Sequence, residues 1–111
     1  MAIVIAFCNC PGADIATALA HGAVERHLAA CVNILPAVAS VYRWEGRMVS
    51  ETESTLLIKT TRDCIPALKA FIEAFHPYDT PELIVLDVTD GLPAYLAWVE
   101  AESKPPSGDP M

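Results

Sequence analysis

"CVNILPAVASVYRWEGRMVSETESTLLIKTT", residues 31–61, consists of two β-rich runs folded about Glu45-Gly46. Val, Ile, Tyr, Trp and Thr suit a pleated surface, and the Glu-Gly pair supplies the turn of a hairpin. "ETEST", residues 51–55, alternates polar side chains as a half-exposed strand does. Pro36 cannot donate to a ladder, so it bends its strand or leaves it at an edge. Strands of about 10–13 residues extend about 35–45 Å at 3.3 Å per residue. A domain of this length has a radius of gyration of about 13 Å, so the hairpin overhangs its own subunit. Tyr42, Trp44 and Val49 near the tip are therefore expected to be interface residues covered by a neighbouring copy. Open strand edges invite pairing between subunits, and closed symmetry is the usual result.

On the N-terminal side, "IVIAFC" (residues 3–8) is a continuous apolar run, expected as a strand buried on both faces. A helix over about 15–29 follows, with Asp14 as its cap, Ile15, Leu19, Ala23 and Leu28 at or near helical spacing, and Gly22 a weak spot. On the C-terminal side Asp63 is the expected cap of a helix carrying Ile65, Leu68, Ile72 and Phe75, with Pro66 in its first turn and Pro77 ending it. "LIVLDV" (83–88) is expected as a buried strand, and Pro93 opens a last helix. The order is β-α-β-β-α-β plus a C-terminal helix, an α+β, ferredoxin-like split βαβ fold with a long protruding hairpin. One domain spans 1–102, and "SKPPSGDPM", 103–111, is expected as a disordered tail. In this fold the sheet order is 4-1-3-2, with the first and last strands antiparallel. The end of strand 1 at Cys8 should then lie beside the entry to strand 4 at Glu82-Leu83, so that "CNC" and "HPYDTPE" converge.

The balance of 7 Lys+Arg against 14 Asp+Glu, a net charge of −7, argues against a phosphate-tracking nucleic-acid binder. No apolar run reaches the roughly 18 residues of a membrane span, and the N-terminus lacks a basic signal-peptide region. A cytoplasmic protein is expected, with Cys8, Cys10, Cys31 and Cys64 as thiols.

"AACVN", Tyr42 and Trp44 in "YRWEG", Glu53, "KTT" at 59–61 and "HPYDTPE" at 76–82, in that order, closely resemble the CutA divalent-cation-tolerance proteins. The resemblance covers Ala2 to Glu100. It implies a ferredoxin-like subunit in a homotrimer joined by strand pairing, linked to tolerance of copper and other divalent cations, with no established catalysis. It also implies a likeness in shape to PII signalling proteins. In copper-binding members a Cys ends strand 1 and a His stands in the loop before strand 4, and Cys8 and His76 match these positions. Some members carry a second histidine just before the matching one, where this chain has Phe75.

Cys8, His76 and the carboxylate of Glu82, or of Asp79, would make a mixed S/N/O site suited to copper, with zinc or another divalent cation as the alternative. Cys10 could assist only if the strand had already ended. Each residue also has a plainer reading. Cys8 suits core packing, His76 a helix C-cap, and Glu82 a pair with Lys59 or Arg62. Glu53, Lys59 and Tyr78 are candidates for a ligand-facing cleft between subunits, although Glu53 and Lys59 could simply form a cross-strand ion pair. Two functions compete: a trimeric metal-binding protein of the tolerance response, and a trimeric PII-like signalling or small-molecule module. An enzyme with Cys8 as nucleophile and His76 as base lacks a third orienting group, so no catalysis is expected.

Overall fold

The computed structural model describes residues 2–106. The chain runs β1 (Ile3–Cys10), α1 (Ala13–Glu25), β2 (Cys31–Trp44), β3 (Arg47–Thr61), a 3-10 turn (Arg62–Cys64), α2 (Ile65–Phe75), β4 (Ile84–Asp87) and α3 (Pro93–Glu102). The four strands form one antiparallel sheet in the order β2-β3-β1-β4, as the split βαβ pattern requires. Trp44 pairs with Arg47 across the two-residue turn, where Glu45 and Gly46 both take positive φ, 50° and 79°. That is the demand of a type I′ hairpin turn, whose twist matches the strands. The ladder shifts between Leu35 and Val38, where Ala37 takes φ 55°. Pro36 therefore sits in a bulge and on an edge strand, the two places a missing N–H is tolerated.

The even residues of β1 (Val4, Ala6, Cys8 and Cys10) are fully buried and face the helices. They join Leu56 and Ile58 of β3, Leu19 and Ala23 of α1, and Leu68 and Ile72 of α2 in one core. Gly22 belongs to that packing. A Cβ there would lie 2.7 Å from Phe71 Cζ, so the helix-propensity cost of glycine, about 1 kcal/mol, is offset by close approach of the two helices.

Several local expectations are corrected. Gly12, not Asp14, is the N-cap of α1, and Asp14 lies in its first turn beside the positive helix end. Asp63 falls in the 3-10 turn, and α2 is capped by Cys64. β1 and β4 are not buried on both faces. The odd face of β1 is half-buried, and Ile84 and Leu86 of the four-residue β4 are 54 % and 51 % exposed. α3 lies against β3 and β1, with Lys59 Nζ 5.6 Å from the Tyr95 ring, and leaves much of this second face open. Of the expected tail, residues 107–111 lie outside the described residues. At its start Ser103 is buried and the Lys104 N–H donates to the His27 carbonyl (2.8 Å), so the chain stays attached beyond α3.

The hairpin strands are 14 and 15 residues long, in a subunit measuring 44 × 36 × 24 Å. Val41, Trp44 and Met48 near the tip are 65 %, 51 % and 66 % exposed, and Tyr42 is also exposed. No helix among the described residues is long and apolar enough to cross a membrane.

Candidate metal site and the cleft behind it

Antiparallel pairing of β1 with β4 joins Phe7 to Ile84, so the last residues of β1 run beside the loop that enters β4. His76 starts that loop as the C-cap of α2, its N–H donating to the Ile72 carbonyl (2.8 Å). Pro77 disfavours helical backbone at the residue before it, and His76 is accordingly extended, at φ −78° and ψ 137°. The buried ring turns onto β1. The Asn9 carbonyl lies 2.8 Å from Nε2, and the Tyr78 N–H donates to Nδ1 (3.1 Å). A carbonyl can only accept and an amide N–H can only donate, so the proton is on Nε2.

Beside the ring lie two thiols. One sulfur from each of Cys8 and Cys10 and one nitrogen of His76 all fall within 4.8 Å of one another. Cys10 was expected to join only past the end of the strand. In fact β1 remains paired through Cys10↔Ser54, and Cys10 joins because residues i and i+2 share a strand face. The alternation in "FCNC" carries this signal. A hydrogen bond to Cys10, then burial, then the nearby charges of Cys10, Glu82 and Glu53 push the Cys8 thiol well up. The same hydrogen bond pulls Cys10 down against its own burial.

Glu82 is not with them. Asn9 points to the other face of β1, its Nδ2 donating to Glu82 Oε1 (3.2 Å) while its Oδ1 accepts from Thr55 Oγ1 (2.6 Å). The expected carboxylate ligand is thus tied away from Cys8 and His76, and Arg62 pairs with Asp87 instead. Glu82 lines a cleft of about 640 Å³ together with Tyr42, Trp44, Glu51, Glu53, Tyr78 and Asp79. Tyr78 Oη donates to the buried Glu53 carboxylate (2.9 Å), and Tyr42 Oη to Glu51 (2.7 Å). Burial and the Glu53 bond push the Tyr78 phenol up, and the Glu51 bond pushes Tyr42 up to about 12. Glu53 and Tyr78 therefore meet as expected. Lys59 does not join them, because it sits by Tyr95, and Val49 pairs with Tyr42 in the ladder. Asn9, not among the expected site residues, joins the two faces through its carbonyl and its amide.

Burial and then the neighbouring Glu53 raise the Glu82 carboxyl above its ordinary 4.5. A raised folded-state value means that this carboxylate opposes folding at neutral pH, and that the opposition vanishes once the group is protonated in both states. Glu82→Gln is expected to stabilise the subunit at pH 7 by at most about 1 kcal/mol after solvent screening. In urea titrations at several pH values the gain should disappear below about pH 4, where the ordinary carboxyl is also neutral.

The profile of the CutA1 divalent ion tolerance protein family matches residues 4–102. The chain is 44 % identical over 89 residues to the divalent-cation tolerance protein CutA of Thermus thermophilus, covering 80 % of this chain and 86 % of that protein. It is 43 % identical over 94 residues to mouse Protein CutA, covering 85 % of this chain but 53 % of the mouse protein, so it spans about half the length of that relative. The Thermus thermophilus Cut A1 structure superimposes with a TM-score of 0.90 at 38 % identity, covering 92 % of this chain and 99 % of that one. A PII-like CutA protein from Nostoc in its apo form does so at 0.85 and 38 %, covering 94 % and 98 %. With a profile spanning the sheet, all three helices and the converging loop, the chain belongs to the CutA1 divalent ion tolerance protein family.

Proposed function

We propose that the protein is a cytoplasmic homotrimer that holds a thiophilic metal ion, copper first and zinc second, at Cys8 and His76, and so contributes to tolerance of metal ions. The observation that carries the metal reading is the convergence of two sulfurs and an imidazole within 4.8 Å at the end of β1. Thiolate and imidazole together suit copper or zinc and discriminate against magnesium. Each ring nitrogen of His76 already has a partner, so entering a metal shell costs it one hydrogen bond. The same bonding leaves neither nitrogen free to act as a base toward Cys8, which supports binding rather than catalysis. Four free cysteines suit a reducing compartment, although one relative is described as chloroplastic and another as periplasmic.

Support for the trimer comes from the open apolar face of β1 and β4, from β2 and β4 as edge strands, and from the exposed aromatic hairpin tip. The test is metal content after gel filtration of reduced protein loaded with Cu or Zn, with mass by light scattering. One ion per chain is expected, on particles of three times 11.9 kDa, falling about 100-fold in affinity with Cys8→Ser. Unchanged uptake in that variant would remove the site, and an 11.9 kDa particle would remove the trimer.

A second reading is a PII-like module whose ligand occupies the cleft of Tyr42, Trp44, Glu53 and Tyr78. Its lining holds four carboxylates and no Lys, Arg or His, which favours a cationic or neutral small molecule over a nucleotide.

A further inference from the structure

We propose that Cys10 is a full second sulfur ligand and that the ion selected by the Cys8–Cys10 pair is monovalent copper. This rests on the metal reading above and adds to it both a ligand and a valence. β1 keeps its pairing as far as Cys10↔Ser54, so Cys8 and Cys10 project from the same face, and both are wholly buried. An extended strand separates residues i and i+2 by about 6.7 Å between Cα atoms. That is the upper end of what a disulfide spans, and the two residues stand as free cysteines. The hydrogen-bonded strand thus presents a dithiol.

The donor set then decides the ion. Two sulfurs and one imidazole nitrogen are within reach, and among the described residues no fourth Cys, His, Asp or Glu joins them. Glu82, the carboxylate expected from the sequence, is held by Asn9 on the opposite face. Structural zinc takes four ligands in a tetrahedron, and Cu(II) prefers tetragonal nitrogen and oxygen donors. Buried as they are, Cys8 and Cys10 offer solvent no route to complete a four-ligand shell. Thiolate softness and a low ligand count both point to Cu(I). His76 acts as the weaker third donor, because its ring must release either the Tyr78 N–H or the Asn9 carbonyl to take part.

The test is anaerobic titration of Cu(I) into reduced protein against a bicinchoninate competitor, with X-ray absorption at the copper edge. Wild type is expected to take one Cu(I) per chain with two sulfur scatterers, and excess Zn²⁺ should not displace it. Cys10→Ser and Cys10→Ala are each expected to weaken binding about 100-fold or more, as Cys8→Ser does, while His76→Gln costs only about tenfold. One sulfur scatterer in wild type, or Cys10 variants that bind as wild type does, would overturn the proposal and leave the Cys8–His76 reading standing. Wild type that binds no copper in either valence would overturn both. The scatterer count needs no variant, so a misfolded substitution does not blunt the test.

Discussion

Leu86→Glu is expected to leave the subunit folded and to abolish the proposed trimer. Leu86 lies on β4 opposite Ile5, beside Ile84, on the face that the helices α1 and α2 do not cover. It is 51 % exposed in the single subunit, so a carboxylate there can reach water and the core of Leu56, Ile58 and Leu68 is untouched. In a closed assembly that seals this face, the same carboxylate would be desolvated, which costs several kcal/mol per ion, only part of it offset by Lys59 across Ile5 on the same face. Each proposed trimer would carry three such charges and would also forgo the roughly 1.5–3 kcal/mol gained by burying each leucine. Sedimentation should show mass falling to 11.9 kDa with the β-sheet circular dichroism retained. The melting temperature should drop and lose its dependence on protein concentration, because assembly no longer stabilises the fold. A variant that remains trimeric at micromolar concentration would mean that subunits do not meet through this face.

His76→Ala is expected to destabilise the subunit by about 2–4 kcal/mol in the absence of any metal. The substitution strands the Asn9 carbonyl and the Tyr78 N–H, and each buried group left unpaired costs about 1–3 kcal/mol. It also removes the ring packed, at a 53° tilt and 4.8 Å between centroids, against Tyr78, whose phenol holds the buried Glu53. Urea midpoints would give the loss, and hydrogen exchange should show the Tyr78 amide becoming rapidly exchanging while amides of α2 up to Ile72 stay protected. His76→Gln, which can replace one of the two bonds, should recover part of the stability. If the alanine variant loses less than about 0.5 kcal/mol, the histidine does not pin the loop and its place in the fold serves a ligand alone.

Much of this site is legible in the amino-acid sequence. The hairpin turn could be placed because Glu45-Gly46 interrupts two β-rich runs, and the helix limits at Pro66, Pro77 and Pro93 follow from proline's fixed φ and missing N–H. The sheet order then follows from the order of elements, and with it the meeting of β1 with the 76–82 loop. Glu82 was misplaced because a loop residue has no periodicity to say which way it faces. Its direction is set by Asn9, 73 positions away in sequence. Cys10 was undervalued because its use depends on how far β1 stays paired, and the partner that decides this is Ser54. Ile84 and Leu86 are apolar enough to suggest a buried strand, yet the subunit alone leaves them open.

By itself, then, the sequence determined the succession of strands and helices, the hairpin turn and the end of the sheet where thiols and imidazole gather. Those properties rest on local periodicity and on backbone restrictions of single residues. Only the tertiary structure decided that Cys10 stands with Cys8 and His76, that Glu82 belongs to the cleft on the opposite face, and that both nitrogens of His76 are already engaged. These are distances and directions of a few ångströms between residues far apart in the chain. They are fixed by strand register and by which donor finds which acceptor, and neither leaves a mark in a local pattern.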